Sequence, residues 1–203
     1  MDARVGHEES LRAAGFNLVA GADEAGRGAC AGPLVAAAVI LPDGGVAGAR
    51  DSKQLSPAQR ETLYEAIVQR AVAWSVAVVE AGECDAWGMQ AANLAALRRA
   101  LLKLDPPPDF AIVDGFGVDG LPFPSLGVWK GDQVAGCVSA ASILAKVTRD
   151  RMMRRLHEDY PAYGFDEHFG YCTASHQARL EELGPSPAHR LSFANVPGKV
   201  ASL

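Results

Sequence analysis

Residues 17–41 read NLVAGADEAGRGACAGPLVAAAVIL. Two apolar runs lie on either side of a turn rich in glycine, and the first run ends in the acidic pair Asp23 and Glu24. Short apolar runs that are bounded by glycine and proline are typical of strands buried on both faces of a sheet. We therefore predict two strands, over residues 17–22 and 34–41, that are joined by a tight connection.

The segments that follow alternate between helical and strand patterns. Ser56 or Asp51 can cap a helix, because Pro57 suits the first helical position and helical periodicity continues over residues 60–67. The order of the elements predicts an α/β fold with a mixed β-sheet flanked by helices. The other predicted elements are strands over residues 73–79 and 110–114, and helices over residues 89–104, 134–156 and 173–183.

The composition indicates one globular unit with a sizeable core. The chain has 203 residues, of which 49% are hydrophobic and 21% are charged. The break at residues 105–109, DPPPD, is short and is typical of a connection between a helix and a strand. We predict a catalytic domain over residues 1–158 and a small helical appendage over residues 159–203 that packs on it.

The sequence also predicts where the protein resides. No run approaches the roughly 20 apolar residues that a membrane span requires, and the start of the chain lacks a basic segment followed by an apolar one. The four cysteines are widely spaced and contain no C-x-x-C pair, which favours a reducing compartment. We predict a cytoplasmic monomer with no membrane partner.

The net charge of −5 argues against a broad attraction to nucleic acid, so such binding has to depend on local patches. One basic stripe lies within the predicted helix over residues 134–156. Its ordinary interpretation is a solvated helix face. The stripe consists of Lys146, Arg149, Arg151, Arg154 and Arg155, interrupted by Asp150.

Four acids follow apolar segments and are candidates for a metal site. Asp23 and Glu24 end one predicted strand, Asp114 ends another, and Asp132 precedes the long helix. A catalytic Mg²⁺ requires a few carboxylates in an open pocket, and acids at strand ends can meet at one edge of a sheet. Neighbouring residues on a strand point to opposite faces, so Glu24 joins Asp23 only if the chain turns there. The alternative interpretation is that all four are ordinary loop acids.

A series of separated motifs matches one enzyme family in family order. On these residues the chain resembles ribonuclease HII over about residues 16–196. The motifs are Asp23–Gly28, Gly32–Val39, Asp51–Lys53, Leu55-Ser56, Val113–Gly115, Lys130–Asp132, Ala140–Asp150, Tyr160–Phe165, Gly170-Tyr171, Thr173, His176, Leu183–Pro187 and His189-Arg190.

The resemblance implies a ribonuclease H-like fold and a metal-dependent endonuclease. Its substrates are RNA–DNA hybrids and duplex DNA with embedded ribonucleotides, and cleavage leaves 5′-phosphate and 3′-hydroxyl ends. The implied cofactor is a pair of Mg²⁺ or Mn²⁺ ions held by the catalytic acids Asp23, Glu24, Asp114 and Asp132. The implied substrate contacts are Gly26, Arg27, Gly28 and Tyr171 at the ribose, and Lys53, Ser142, Lys146 and Arg149 at phosphates. A replication clamp as partner has no support in the sequence.

The chain departs from the family pattern at three positions. Phe116 stands where the family often has asparagine, Gln54 replaces a frequent lysine, and Phe169 replaces another. Because two of these changes remove cations, we expect weaker substrate binding that depends less on salt.

Three other interpretations of the sequence remain open. Residues 26–31 fit the loose dinucleotide pattern G-x-G-x-x-G/A, which is typical of an oxidoreductase only if a helix begins there. His168, Cys172 and His176 are spaced by four residues, as zinc ligands can be, but no fourth ligand lies near them. The third interpretation is a noncatalytic module that binds hybrids.

Overall fold

A five-stranded mixed sheet is the centre of the computed structural model, which describes residues 6–49 and 55–197. The spatial order of the strands is β3-β2-β1-β4-β5. The four strands that the sequence predicts are confirmed, and the fifth strand, β5, was not predicted. The strands are β1 (Val19–Ala25), β2 (Leu34–Ile40), β3 (Ala73–Val79), β4 (Phe110–Asp114) and β5 (Ser125–Val128).

The strand pairing brings two carboxyl ends to the same edge of the sheet. β2 pairs antiparallel with both β1 and β3, whereas β4 pairs parallel with both β1 and β5. Ala22 of β1 lies opposite Val113 of β4. Each of these residues is followed by an acid, so Asp23 and Asp114 lie at equivalent positions on neighbouring strands.

Helices cover the sheet, and the predicted helices are found within a few residues of their expected ends. Ser56 is the cap of α2, because its side chain accepts a hydrogen bond from the backbone N–H of Gln59, whereas Asp51 lies outside the described residues. The helices are α1 (Gly6–Ala13), α2 (Pro57–Arg70), α3 (Ala81–Trp87), α4 (Met89–Leu102), α5 (Gly131–Val134), α6 (Gly136–Asp159), α7 (Phe165–His168) and α8 (Ala174–Leu183), with a 3-10 turn at Pro161–Tyr163.

The core has one apolar layer on each face of the sheet. α4 packs on one face against Ala20 and Ala22, and α6 and α2 pack on the other face against Val19 and Ala25. β2 is buried along its whole length, as its apolar sequence predicts. A Cβ atom on Gly21 would lie 2.2 Å from the backbone of Cys137, so only glycine allows α6 to cross β1 this closely.

The segments after α6 pack on the turn between β1 and β2. Phe165, Leu180 and Val196 form an apolar cluster with Cys30 and Met153. The predicted domain boundary at residue 158 stays a prediction, and α6 ends one residue later. Among the helices of residues 6–49 and 55–197, none is both long enough and apolar enough for a membrane span.

Candidate active site

The four predicted acids come from three elements, β1, β4 and α5, that meet at one edge of the sheet. Asp23 lies in β1, and Asp114 is the last residue of β4. The carboxylate of Asp114 accepts a 2.6 Å hydrogen bond from the backbone N–H of Gly131, the first residue of α5. Asp132, the next residue, is buried with 5% of its surface exposed. The start of α5 is thereby fixed against Asp114.

Asp23 and Glu24 point to opposite faces of the sheet, because β1 continues through both to Ala25. Asp23 interacts with Ser142 of α6, while Glu24 lies beside Asn93 of α4. The chain turns only after the strand, at Gly26, whose φ of 92° is in the left-handed region. The chain therefore does not turn between the two acids, but both carboxylates interact with Asp114, so Asp23, Glu24 and Asp114 still gather at the end of β1 and β4.

Burial and mutual repulsion disfavour the charged forms of this acidic group. Burial, followed by the negative charges of Glu24 and Asp114, raises the pKa of Asp23 well above its usual range. Burial also raises the pKa of Glu24, with a further contribution from Asp114, and Arg27 opposes this shift. The Oε2 atom of Glu24 is buried and has no hydrogen-bond partner among the described residues. The acids therefore fit a divalent cation, which would neutralise them and accept oxygen ligands.

The acids do not form a closed coordination cage. Across residues 6–49 and 55–197, no three side chains of His, Cys, Asp or Glu are arranged as a ready set of metal ligands. Mg²⁺ usually keeps several waters and takes only one or two carboxylates directly. The arrangement therefore fits an open, water-rich site and does not fit a structural metal site.

A cleft of about 400 Å³ lies beside this acidic group. Most of the predicted substrate-binding residues line it, and Arg149 does not. Lys53 lies outside the described residues, so its predicted phosphate contact stays a prediction. The lining residues are Glu24, Ala25, Gly26, Arg27, Gly28, Arg60, Ser142, Ile143, Lys146 and Tyr171.

Arg149 faces the protein interior, not the cleft. Its side chain is fully buried, and its guanidinium donates hydrogen bonds to the backbone carbonyls of Pro33 (2.9 Å), Phe169 (2.9 Å) and Ala31 (3.1 Å). Burial lowers the pKa of Arg149 to about 10. The predicted phosphate contact of Arg149 thus has no support in this geometry, because its donors hold the chain on both sides of the cleft together.

Arg190 has a related role that sequence reasoning missed. The side chain is fully buried, and Nη1 donates 2.7 Å hydrogen bonds to the carbonyls of Gly26 and Ala29. Nε and Nη2 both donate to the carbonyl of Gly32, at 3.1 and 2.9 Å. The only signal in the sequence is the motif His189-Arg190, which gives no indication of this distant contact.

The basic stripe of α6 is largely neutralised within the protein. Arg151 donates a 2.6 Å hydrogen bond to Glu61 of α2 and also pairs with Glu65 at 2.9 Å. Lys146 pairs with Asp150 at 2.6 Å and lies over the ring of Phe169. Of the stripe, Lys146 lines the cleft. Arg151 therefore fits the ordinary interpretation of the stripe as a solvated helix face. Among the residues of the stripe, Lys146 is the one whose position fits the predicted phosphate contact.

The histidines near Tyr171 form a hydrogen-bonded network of neutral rings. His176 Nδ1 lies 3.0 Å from the carbonyl of Tyr171, and its Nε2 lies 3.0 Å from Nε2 of His189. His168 Nε2 lies 2.7 Å from the carbonyl of Tyr163, and its Nδ1 accepts a hydrogen bond from the N–H of Gly170. Protein partners thus engage the ring nitrogens of His168 and His176, which supports a structural role beneath Tyr171.

The glycine turn does not lead into a helix. β2 begins at Leu34, three residues after Ala31, and Ala31 itself forms a β-bridge with His189. A dinucleotide-binding fingerprint requires a helix N-terminus at this position. The oxidoreductase interpretation is therefore wrong.

Comparisons with known proteins agree with this geometry. The family model described as Ribonuclease HII matches residues 20–196. Ribonuclease HII of Salinispora tropica is 59% identical over 192 residues, which cover 93% of this chain and 71% of the relative. Ribonuclease HII of Cutibacterium acnes is 57% identical over 195 residues, which cover 95% of this chain and 96% of the relative.

Two solved structures share the fold. The crystal structure of the ribonuclease H2 from Pyrococcus horikoshii OT3 has a TM-score of 0.76 and 31% identity, covering 87% of this chain and 94% of that one. RNase HII in its PCNA complex from Archaeoglobus fulgidus has a TM-score of 0.69 and 29% identity, covering 81% of this chain and 87% of that one. The predicted ribonuclease H-like fold is confirmed, and the chain belongs to the ribonuclease HII family of endonucleases.

Proposed function

We propose that the protein cuts the RNA strand of RNA–DNA hybrids and nicks duplex DNA on the 5′ side of single embedded ribonucleotides. The products carry 5′-phosphate and 3′-hydroxyl ends. One observation carries this proposal: Glu24 lines the same cleft as the turn Gly26–Gly28 and Tyr171. A metal-binding group and a ribose-binding surface thus lie side by side, and membership of the ribonuclease HII family supports this interpretation.

Asp23, Glu24, Asp114 and Asp132 would hold two divalent cations, Mg²⁺ or Mn²⁺. Such a pair supplies a nucleophilic water at neutral pH and stabilises the charge on the leaving oxygen. The chain contributes the spacing of the carboxylates, since the register of β1 and β4 fixes Asp23 next to Asp114. The hydrogen bond from Gly131 to Asp114 keeps one carboxylate oxygen in place before any cation binds.

The turn at residues 26–28 would read the 2′-hydroxyl of the substrate through its backbone. A Cβ atom on Gly28 would meet no heavy atom within 4 Å, so the side of Gly28 where a Cβ would stand is open and the backbone is accessible to a ribose. Tyr171 stands across the cleft with 39% of its surface exposed, and its ring packs on Arg149 at 5.5 Å. Ser142 and Lys146, which also line the cleft, would contact phosphates.

The alternative of a noncatalytic hybrid-binding module is disfavoured by the charge of the site. Burial raises the pKa values of Asp23 and Glu24, and the negative charge of Asp114 adds to the rise of both. A protein that only binds phosphates gains nothing from buried carboxylates beside them. Buried carboxylates beside the cleft would instead serve to hold the divalent cations that cleavage requires.

The decisive experiment uses a DNA duplex with one ribonucleotide in one labelled strand. We expect a nick on the 5′ side of the ribonucleotide with Mg²⁺ or Mn²⁺, no nick with chelator, and no nick in the identical all-DNA duplex. The Asp114→Asn variant should bind the duplex and fail to cut it. Cleavage in chelator, cleavage of the all-DNA control or full activity of Asp114→Asn would contradict the proposal.

A further inference from the structure

An exposed aromatic surface lies beside Asp114, outside the cleft that Tyr171 lines. Trp129 has 77% of its surface exposed, which is the largest exposure of any large apolar side chain in the described residues. Phe116 has 44% of its surface exposed. An indole that is left in water forgoes the free energy of burial, and grouped exposed apolar side chains mark binding surfaces more often than single ones do.

The strand pairing fixes both rings close to Asp114. Asp114 lies opposite Val128 in the register of β4 and β5, and Trp129 follows Val128 directly. The backbone N–H of Gly115 donates a 2.9 Å hydrogen bond to the carbonyl of Val128, and Phe116 follows Gly115. Phe116 and Trp129 are therefore carried by two paired strand ends and are not placed by a free loop.

These residues enclose a cavity of about 120 Å³, here called the aromatic cleft. Glu24 and Arg27 line both the aromatic cleft and the larger cleft that contains Tyr171. The two clefts therefore adjoin at Glu24 and Arg27. The aromatic cleft is lined by Glu24, Arg27, Asp114, Gly115, Phe116, Trp129 and Lys130.

The charges of the aromatic cleft favour a nucleic acid strand. Arg27 lies 5.2 Å above the ring of Phe116, where a 2.8 Å hydrogen bond to Gln90 also holds it. Lys130 adopts a left-handed conformation with a φ of 57° and lines the same cavity. Two cations beside exposed aromatic faces match the phosphate and the apolar sugar face of a nucleotide. The volume is smaller than the roughly 300 Å³ of a typical site for a whole small molecule, so it suits part of a longer strand.

We propose that the aromatic cleft is a second nucleotide subsite, which takes the nucleotide immediately 5′ of the cut. The sugar of this nucleotide packs on Trp129, and Lys130 contacts its phosphate. This inference rests on the proposed function, in which the turn Gly26–Gly28 and Tyr171 take the ribonucleotide on the 3′ side. A strand that crosses Glu24 from one cleft to the other then has its scissile phosphate at the acids.

A kinetic comparison tests the contribution of the ring. Trp129→Ala should raise KM about tenfold with little change in kcat, because a contact made equally in the ground state and the transition state affects binding alone. Trp129→Phe should keep most of the affinity. The control is Trp74→Ala, which changes a partly exposed tryptophan on β3 at the opposite edge of the sheet.

A fluorescence experiment tests the position of the contact without cleavage. The chain has three tryptophans, so the changes Trp74→Phe and Trp87→Phe leave Trp129 as the only emitter. In this background, Asp23→Asn removes cleavage through a residue that does not line the aromatic cleft. The full duplex should change the emission of Trp129. A duplex that lacks the strand 5′ of the ribonucleotide should still bind, as measured by anisotropy, and should leave the emission unchanged.

The outcomes separate the two proposals. If the parent protein cuts the substrate and Trp129→Ala has an unchanged KM, the subsite is wrong while the function stands. Equal emission changes with the full and the truncated duplex would also overturn the subsite. If the parent protein does not cut the substrate, the proposed function is wrong, and the subsite that rests on it is wrong as well.

Discussion

The guanidinium of Arg190 donates a 2.7 Å hydrogen bond to the backbone carbonyl of Gly26, a residue 164 positions earlier in the chain. The same side chain binds the carbonyls of Ala29 and Gly32, and Arg149 binds the carbonyls of Ala31 and Pro33. Two buried cations therefore fix the shape of the glycine turn, and the backbone of the turn is free to face the cleft. The C-terminal segment is thus part of the active-site architecture.

Arg190→Lys tests this clamp. A lysine has a single nitrogen and cannot bind the carbonyls of Gly26, Ala29 and Gly32 in the geometry of a planar guanidinium. We expect the free energy of unfolding to fall by about 3 kcal/mol, since buried carbonyls lose their donors. Cleavage should fall as well, because the turn loses its shape. Urea unfolding and kcat/KM measure the two effects.

Arg99→Lys is the matched control, because Arg99 is partly exposed and contacts the ring of Trp87 at the surface. Its unfolding free energy should stay within about 0.5 kcal/mol of the parent value. A clamp role for Arg190 would be contradicted if both variants had the same stability.

Gly26→Ala and Gly28→Ala form a pair that separates folding from substrate binding. A Cβ atom on Gly26 would lie 1.9 Å from Nε of Arg149, and its φ of 92° is unfavourable for alanine, so this variant should be destabilised. The Cβ of Gly28 would meet nothing within 4 Å, so Gly28→Ala should fold normally. We expect Gly28→Ala to lose cleavage because the new methyl group stands where the ribose approaches. Thermal melts and cleavage assays on both variants test this, and a fully active Gly28→Ala would remove the turn from ribose recognition.

The sheet and the main helices could be predicted because their signals are local. The apolar run at residues 34–40 and the cap at Ser56 specify a strand and a helix without reference to the rest of the chain. β5 was missed because Ser125–Val128 is short and is partly exposed along its length, so no strong periodicity marks it. Its position depends on pairing with β4, which is a tertiary contact.

The acids of the site could be predicted from their positions at strand ends, but the supporting residues could not. Asp23 and Asp114 follow apolar runs that are visible in the sequence, whereas Arg190 reaches the glycine turn only through the packing of the C-terminal segment. The basic stripe on α6 is visible in the sequence, but its spacing does not show which of its residues face the cleft. Helical spacing groups Lys146 and Arg149, but burial separates them, because only packing decides which side chain faces water.

The histidine network predicts how stability depends on pH. Burial and the neighbouring His176 lower the pKa of His189 to about 4 from its usual 6.5. Between these values the unfolded chain binds more protons than the folded protein, so stability present above pH 6.5 is lost as the pH falls toward 4. At about 1.4 kcal/mol per pH unit, the loss is roughly 3 kcal/mol.

Urea unfolding between pH 4 and 7 measures this loss. The slope of the unfolding free energy against pH should be smaller in His189→Asn than in the parent protein. His7→Asn, a change at an exposed histidine of α1, should leave the slope unaltered. The same slope in the parent protein and in His189→Asn would show that another group carries the dependence. Because His176 contacts the carbonyl of Tyr171, cleavage should decline over the same pH range.

Metal binding should convert a repulsive acidic group into a stabilising one. Burial and the charge of Asp114 raise the pKa values of Asp23 and Glu24, so the metal-free protein loses stability as the pH rises through their titration. Asp114→Asn removes one charge and should stabilise the metal-free protein at pH 8 by about 1 kcal/mol. A cation at a hundred times its Kd should stabilise the parent by about 2.7 kcal/mol at that pH, and less at pH 5, where protons compete. Thermal melts of the parent and of Asp114→Asn, each with chelator and with Mg²⁺, give the four stabilities to be compared. Equal stabilisation of the parent and of Asp114→Asn by Mg²⁺ would mean that Asp114 does not hold the metal.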